Sequence, residues 1–235
     1  MILCLDAGNT RLKWGVREGT IWRAQGACVH ADCVGLVAAL PAGIEHIIAC
    51  NVAGGEVAQR IEVLAATLGV LLEWFRSSAS CCSVSNGYDN PAQLGADRWA
   101  ALVGARGLHT GNALVVMAGT ATTIDVLDAD GLFRGGLILP GLDLMRKSLA
   151  GNTAGLPEAK GVYRDTPTNT DDAIVSGAVH ATLGAIERMC RPASADFCVL
   201  LSGGAADTLA PHLDLPLRRV DNLVLEGLAR VAARC

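Results

Sequence analysis

The feature that most constrains this chain is a strand-turn-strand unit that occurs twice. In the first copy four apolar residues, Ile2-Leu3-Cys4-Leu5, lead into Asp6-Ala7-Gly8-Asn9-Thr10-Arg11, and an apolar run from Leu12 to Val16 leads straight back. A short apolar run bounded by turn residues is the pattern of a buried strand. In the second copy Leu114-Val115-Val116-Met117-Ala118-Gly119-Thr120 repeats the frame, with glycine again third in the turn, and Thr123 to Leu127 returns. A repeat half a chain apart predicts two similar domains, each offering one hairpin to a common cleft.

The first turn carries the parts of a phosphate-and-metal site. Gly8 lets main-chain N–H groups approach an anion closely. Thr10 adds a hydroxyl, Lys13 a cation, and Asp6 a hard oxygen suited to Mg²⁺. Taken alone, the same residues serve equally as an ordinary tight turn with a solvated Asp and Lys. The second copy departs at one place, with Met117 where the first has Asp6.

Between the copies the pattern predicts a third strand over Thr20–Ala24, a helix over Ala31–Leu40, a strand over His46–Cys50, a helix over Glu56–Leu68 stopped by Gly69, and a strand over Val70–Phe75. Ser77–Gln93 is a polar loop, and long loops in compact domains are often functional. It runs into Gly95-Ala96-Asp97-Arg98 and a helix from Trp99 to about Arg106. Asp97 then lies at a helix N-terminus, where a carboxylate is favoured, and a capping Asp beside an Arg accounts for it on the residues alone. Gly107–Asn112 reads as the junction between domains 1–110 and 111–235. Beyond the second hairpin come an Asp130-Gly131 turn and a helix opening at Pro140-Gly141. A long loop with Pro157, Gly161 and Pro167 follows. Next are a helix from Asn169-Thr170 to about Met189, a strand Cys198–Leu201 ending in Ser202-Gly203-Gly204-Ala205, and a last helix, Leu223–Ala233.

Composition excludes several classes. A net charge of −4 disfavours nucleic-acid or anionic-membrane partners, which select a basic face. No apolar run reaches the roughly 18 residues of a membrane span, and no secretory leader precedes the first strand. The nine cysteines, among them Cys4, Cys50, Cys82 and Cys235, show no Cys-x-x-Cys spacing, and a reducing cytoplasm fits them best. Cys28-Val29-His30-Ala31-Asp32-Cys33 holds metal-capable side chains, but no second cluster completes a site. The five histidines form no paired motif and carry no assigned chemistry.

Six motifs in order carry a family resemblance: Asp6–Lys13; Gly95–Arg98; Gly119-Thr-Ala-Thr-Thr-Ile-Asp125; Gly135-Gly-Leu-Ile-Leu-Pro-Gly141; Asn169-Thr170 leading into Ala173-Ile174; and Ser202–Ala205. Over nearly its whole length the chain resembles the type III pantothenate kinases, within the acetate and sugar kinase/Hsp70/actin superfamily. The resemblance implies an α/β fold of two ribonuclease-H-like domains, each a mixed sheet with helices, facing a central nucleotide cleft. It implies a cytoplasmic, homodimeric phosphotransferase that makes 4′-phosphopantothenate from pantothenate and ATP, opening coenzyme A biosynthesis. Asp97 takes the role of catalytic base. Asp6, Ala7, Gly8, Asn9, Thr10, Arg11, Leu12 and Lys13, with Thr120, map onto ATP and phosphate contacts. Tyr88, Gly95, Ala96, Asp97, Arg98 and Thr170 map onto pantothenate contacts. Asp6 would hold Mg²⁺ with ATP, and Asp125 is a further candidate for the metal shell.

Typical members carry an Asp where this chain has Met117, and that Asp binds an activating K⁺ or NH₄⁺. A thioether cannot replace a carboxylate around a hard cation, so lost K⁺ dependence or weakened activity is expected here. Two rivals remain at this stage. One is the same fold phosphorylating another small hydroxy or carboxy compound, which Gly95–Arg98 argue against. The other is a catalytically silent, kinase-like regulatory or binding protein. Met117 is its support, and the intact Asp6, Lys13, Asp97 and Thr120 oppose it.

Overall fold

The computed structural model describes residues 1–153, 155–156, 158–190 and 197–234; Pro157 and Cys235 lie outside them. The chain divides into two compact units. The first comprises residues 1–110, 130–134 and 222–235, the second residues 111–129 and 135–221.

In the first unit β1 (Ile2–Ala7), β2 (Leu12–Glu18) and β3 (Ile21–Cys28) form an antiparallel meander, and β1 also pairs in parallel with β4 (His46–Asn51), which pairs in parallel with β5 (Leu71–Trp74). The order is β3-β2-β1-β4-β5. As the central strand, β1 is buried on both faces, which is why its sequence is a continuous apolar run rather than an alternation. Leu3, Leu5 and Ala7 face a core with Ile47, Ala49 and the apolar side of α1 (Gly55–Leu68). That helix ends as its sequence predicts, with Gly69 at φ +67° receiving it in the left-handed conformation.

Three expectations give way in this unit. Residues 31–40 form two short 3₁₀ turns, His30–Asp32 and Val34–Ala39, without a side-chain cap on either; Gly35 and the β-branched Val34 and Val37 leave little helix propensity to sustain a longer α-helix. The polar loop is partly ordered as a hairpin, β6 (Ser80–Cys81) and β7 (Val84–Asn86), whose turn puts Cys82 and Ser83 at positive φ. Cys82 is disulfide-bonded, unlike the other seven described cysteines. The next helix, α2 (Ala96–Leu108), starts three residues before the expected Trp99.

The second unit repeats the plan of the first. Its strands are β8 (Asn112–Ala118), β9 (Ala121–Leu127), β10 (Leu132–Pro140, which begins in the first unit), β11 (Phe197–Ser202) and β12 (Leu217–Arg219). They run β10-β9-β8-β11-β12, matching β3-β2-β1-β4-β5 strand for strand. As before, the hairpin is antiparallel and the next two pairings are parallel. The remaining helices are α3 (Leu142–Asn152), α4 (Thr170–Cys190), the single turn α5 (Ala206–Leu209) and α6 (Leu223–Ala232). Leu114, Val116, Ala118, Ile124 and Leu201 pack on Val179, Leu183 and Ile186 of α4.

The last helix, α6, belongs to the first unit, where it crosses α2 and covers the face of β1 and β4 away from α1. Glycines permit the crossing: a Cβ on Gly104 would collide with the Leu223 carbonyl, and one on Gly227 with that of Ala100. Glu226 fastens α6 to the sheet, accepting from Trp22 Nε1 at 2.6 Å and pairing with Arg17 at 3.5 Å.

Candidate active site

Period-two alternation decides the chemistry of the first unit. Leu5 and Ala7 point to the α1 core, so Asp6 points to the opposite face, the one α2 and α6 cover. Register pairs Asp6 with Lys13 across the hairpin and with Cys50 on β4. All three therefore share that face. Cys50 donates its thiol to Asp6 Oδ1 at 3.6 Å.

Asp6 is only 7% exposed, and its pKa rises from 3.8 to about 6. Burial is the main cause, Lys13 opposes the rise, the negative charge of Asp97 adds to it, and the Cys50 thiol opposes it. The same burial keeps Cys50 a neutral thiol. Asp6, with a lysine beside it, thus feels the charge of a carboxylate from a distant part of the sequence, Asp97. Such a buried carboxylate gains from any cation that approaches it.

The motif around Asp97 is shaped by its glycine. Gly95 caps α2, and a Cβ there would stand 2.6 Å from Asp97 Oδ1. Without that methyl, Asp97 folds back and accepts the Arg98 N–H at 2.8 Å, satisfying one of the orphan amides of the helix start. Ala96 opens the helix. Arg98 is buried, and its Nη1 donates to the Tyr88 hydroxyl at 2.9 Å. Its guanidinium also lies over the rings of Tyr88 and Phe133, 5.7 and 5.9 Å from their centroids. Asn86 builds the loop that carries Tyr88, accepting from the Tyr88 N–H and donating to the Ser78 and Pro91 carbonyls. Leu12 is core, while Asn9, Thr10 and Arg11 stand exposed at the turn. Gly8 is not in the left-handed region.

In the second unit three motifs converge on the end of β8. The backbone carbonyl of the exposed Thr120 accepts from the Gly141 N–H at 2.9 Å. A Cβ on Gly141 would collide with the Gly119 and Thr120 carbonyls. Gly203, at φ +104°, lies against Ala118, whose carbonyl accepts the Ala205 N–H at 3.0 Å. Gly141 and Gly203 are therefore required by close backbone contacts around one turn. Met117 pairs with Thr123 on one side and Ser202 on the other. Asp125 is buried on β9, pressed by Gly136. Thr170 is the exposed first residue of α4, next to Asn169, which caps the helix through reciprocal bonds with Asp172 at 2.9 Å. Among the described residues no three His, Cys, Asp or Glu form a metal cage, and no helix is long and apolar enough to cross a membrane.

Sequence reasoning missed Cys50 and His30, whose Nε2 lies 2.9 Å from the Gly8 carbonyl oxygen. Aligning the apolar strand 46–51 in parallel with 2–7 would have found Cys50; no sequence signal marks His30.

Comparison with known proteins agrees with this architecture. The sequence profile of the type III pantothenate kinases matches residues 2–192. A type III pantothenate kinase of Aromatoleum aromaticum is 56% identical, covering 99% of this chain and 98% of its own. One of Dechloromonas aromatica is 49% identical over the whole of both chains. Among solved structures, a Campylobacter jejuni protein assigned to the Baf family of transcriptional activators superposes with a TM-score of 0.67 at 19% identity, covering 98% of this chain and 97% of its own. A Sinorhizobium meliloti protein assigned as a 2-dehydro-3-deoxygalactonokinase gives 0.64 at 17% identity, with 99% and 98% covered. These likenesses show the fold, two α/β domains, each a mixed sheet with helices.

Proposed function

Because this chain belongs to the type III pantothenate kinase family, we propose that it transfers the terminal phosphoryl group of ATP to the primary hydroxyl of pantothenate, giving 4′-phosphopantothenate for coenzyme A synthesis. The observation that carries the reading is the buried carboxylate of Asp6 at the end of β1, with Lys13 directly opposite it in the hairpin and the negative charge of Asp97 acting on it. Phosphoryl transfer needs little covalent help from the protein; it needs positioning, charge neutralisation and a group to take the acceptor's proton. Asp97, half-buried in the first turn of α2, accepts the hydroxyl proton and orients its oxygen. The Asp6–Lys13 hairpin cradles the phosphates, with Lys13 neutralising charge. Thr120, on the second unit's equivalent turn, is the further nucleotide contact.

Arg98 pairs with the pantothenate carboxylate, which guanidinium geometry suits, and Tyr88 steadies it. Gly95, Ala96 and Thr170 complete the pantothenate contacts. The donor set fits Mg²⁺ arriving with ATP: the protein offers one or two hard carboxylates rather than a full cage, as such ions prefer. Asp6 would hold it, with Asp125 as a further candidate, and the ion would supply charge stabilisation at the phosphates. Met117, between Thr123 and Ser202, offers no hard oxygen for K⁺ or NH₄⁺, so activity without that ion is expected.

A cytoplasmic location suits this chemistry. Ile138, Leu144, Leu149 and Val162 are large exposed apolar residues of the second unit, and a homodimer would cover them. The silent regulatory reading has only Met117 in its favour. Incubation of the purified protein with pantothenate and Mg-ATP, with product read by mass, tests the proposal; a folded protein that binds nucleotide yet forms no product overturns it.

A further inference from the structure

The metal-capable stretch from Cys28 to Cys33 gathers no metal site among the described residues, and the fold uses it differently. Register pairs Leu12 with Cys28, so β3 ends beside the first residue of β2, next to the turn that follows β1. Two residues later the 3₁₀ turn His30–Asp32 sends His30 to that turn, its Nε2 2.9 Å from the Gly8 carbonyl oxygen. A carbonyl only accepts, so Nε2 carries the proton, and a ring protonated on both nitrogens keeps the same bond.

The Gly8 carbonyl and the Asn9 N–H belong to one peptide unit. In a planar trans peptide they point in opposite directions, and no cis peptide is present among the described residues. Holding the carbonyl from behind therefore aims the Asn9 N–H forward. A hydrogen bond at one end of a peptide also polarises the other. Gly8 supplies no left-handed kink, and Asn9, Thr10 and Arg11 are exposed. The bond from His30 thus restrains a turn that the core does not clamp.

We propose that His30 is a positioning residue for the nucleotide: by gripping the Gly8 carbonyl it aims and polarises the Asn9 N–H toward a phosphate oxygen of bound ATP. This rests on the reading of the Asp6–Lys13 hairpin as the phosphate cradle. The test compares His30→Phe, which keeps a ring but loses the donor, with His30→Gln, which restores a donor. Mg-ATP affinity is read by calorimetry without pantothenate, alongside KM for each substrate and the unfolding midpoint.

The expected result for His30→Phe is about five-fold weaker Mg-ATP binding, the worth of one ordinary net hydrogen bond, and a matching rise in KM for ATP. KM for pantothenate stays unchanged, the unfolding midpoint moves only by the loss of that one bond, and His30→Gln returns near the parent affinity and midpoint. Parent-like Mg-ATP binding in His30→Phe overturns the proposal. So does a loss shared by both substrates with no rescue by glutamine. Failure of the parent protein to phosphorylate pantothenate would sink the kinase reading instead, and the calorimetric comparison would still decide the role of His30.

Discussion

Removing the charge of Asp6 should stabilise the ligand-free protein at alkaline pH. The carboxyl is 7% exposed, and its pKa in the folded chain is about 6 against an ordinary 3.8. Because the folded value lies above the unfolded one, the folded chain holds the proton more tightly. Ionised Asp6 therefore costs stability above pH 6, and the cost fades as pH falls from 6 through 3.8. The difference corresponds to about 3 kcal/mol at pH 8 and about half that at pH 5. Asp6→Asn removes the cost, but its new amide hydrogens sit in a buried place and give back about 1 kcal/mol. The expected net gain is about 2 kcal/mol at pH 8 and close to zero at pH 5. Urea unfolding of both proteins without nucleotide, at the two pH values, measures it. An Asp6→Asn protein less stable than its parent at pH 8, or a gain equal at both pH values, would refute the reasoning. The same variant should lose phosphoryl transfer, a trade of function for stability expected where a charge is buried for chemistry.

Arg98→Ala should raise KM for pantothenate about ten- to a hundred-fold, the worth of a charged hydrogen bond, with little change in KM for ATP. Unchanged pantothenate binding would remove Arg98 from the carboxylate. Exchange of K⁺ for Na⁺ in the assay should leave initial rates unaltered; strong K⁺ stimulation that disappears on altering the β8–β9 residues around Met117 would contradict this.

The hairpin repeat was legible because an apolar strand, a small-residue turn and a returning strand leave few other foldings, and the structure carries the repeat further, through five strands in one order. Helix α1 was legible from its apolar spacing and Gly69. The Asp6–Cys50 contact was not, because Cys50 looks like any small core residue until parallel register puts it opposite a carboxylate. Nor was the placement of α6 in the first unit. Its sequence shows an amphipathic helix but not which surface it meets; the glycines that admit α2 are meaningful only once the two helices cross. The hairpin at Ser80–Asn86 was hidden by its brevity and polar composition. In the motifs, Gly141 and Gly203 had visible positions but invisible reasons, since each is required by a backbone approach from elsewhere in the chain.

The most direct test of the account is the rate of phosphopantothenate formation by the parent protein and by Asp97→Ala, each at saturating Mg-ATP and pantothenate. The account predicts measurable turnover in the parent and a fall of about two to four orders of magnitude in the variant, the usual loss on removing a general base, with nucleotide affinity intact. Turnover in Asp97→Ala equal to that of the parent would contradict it.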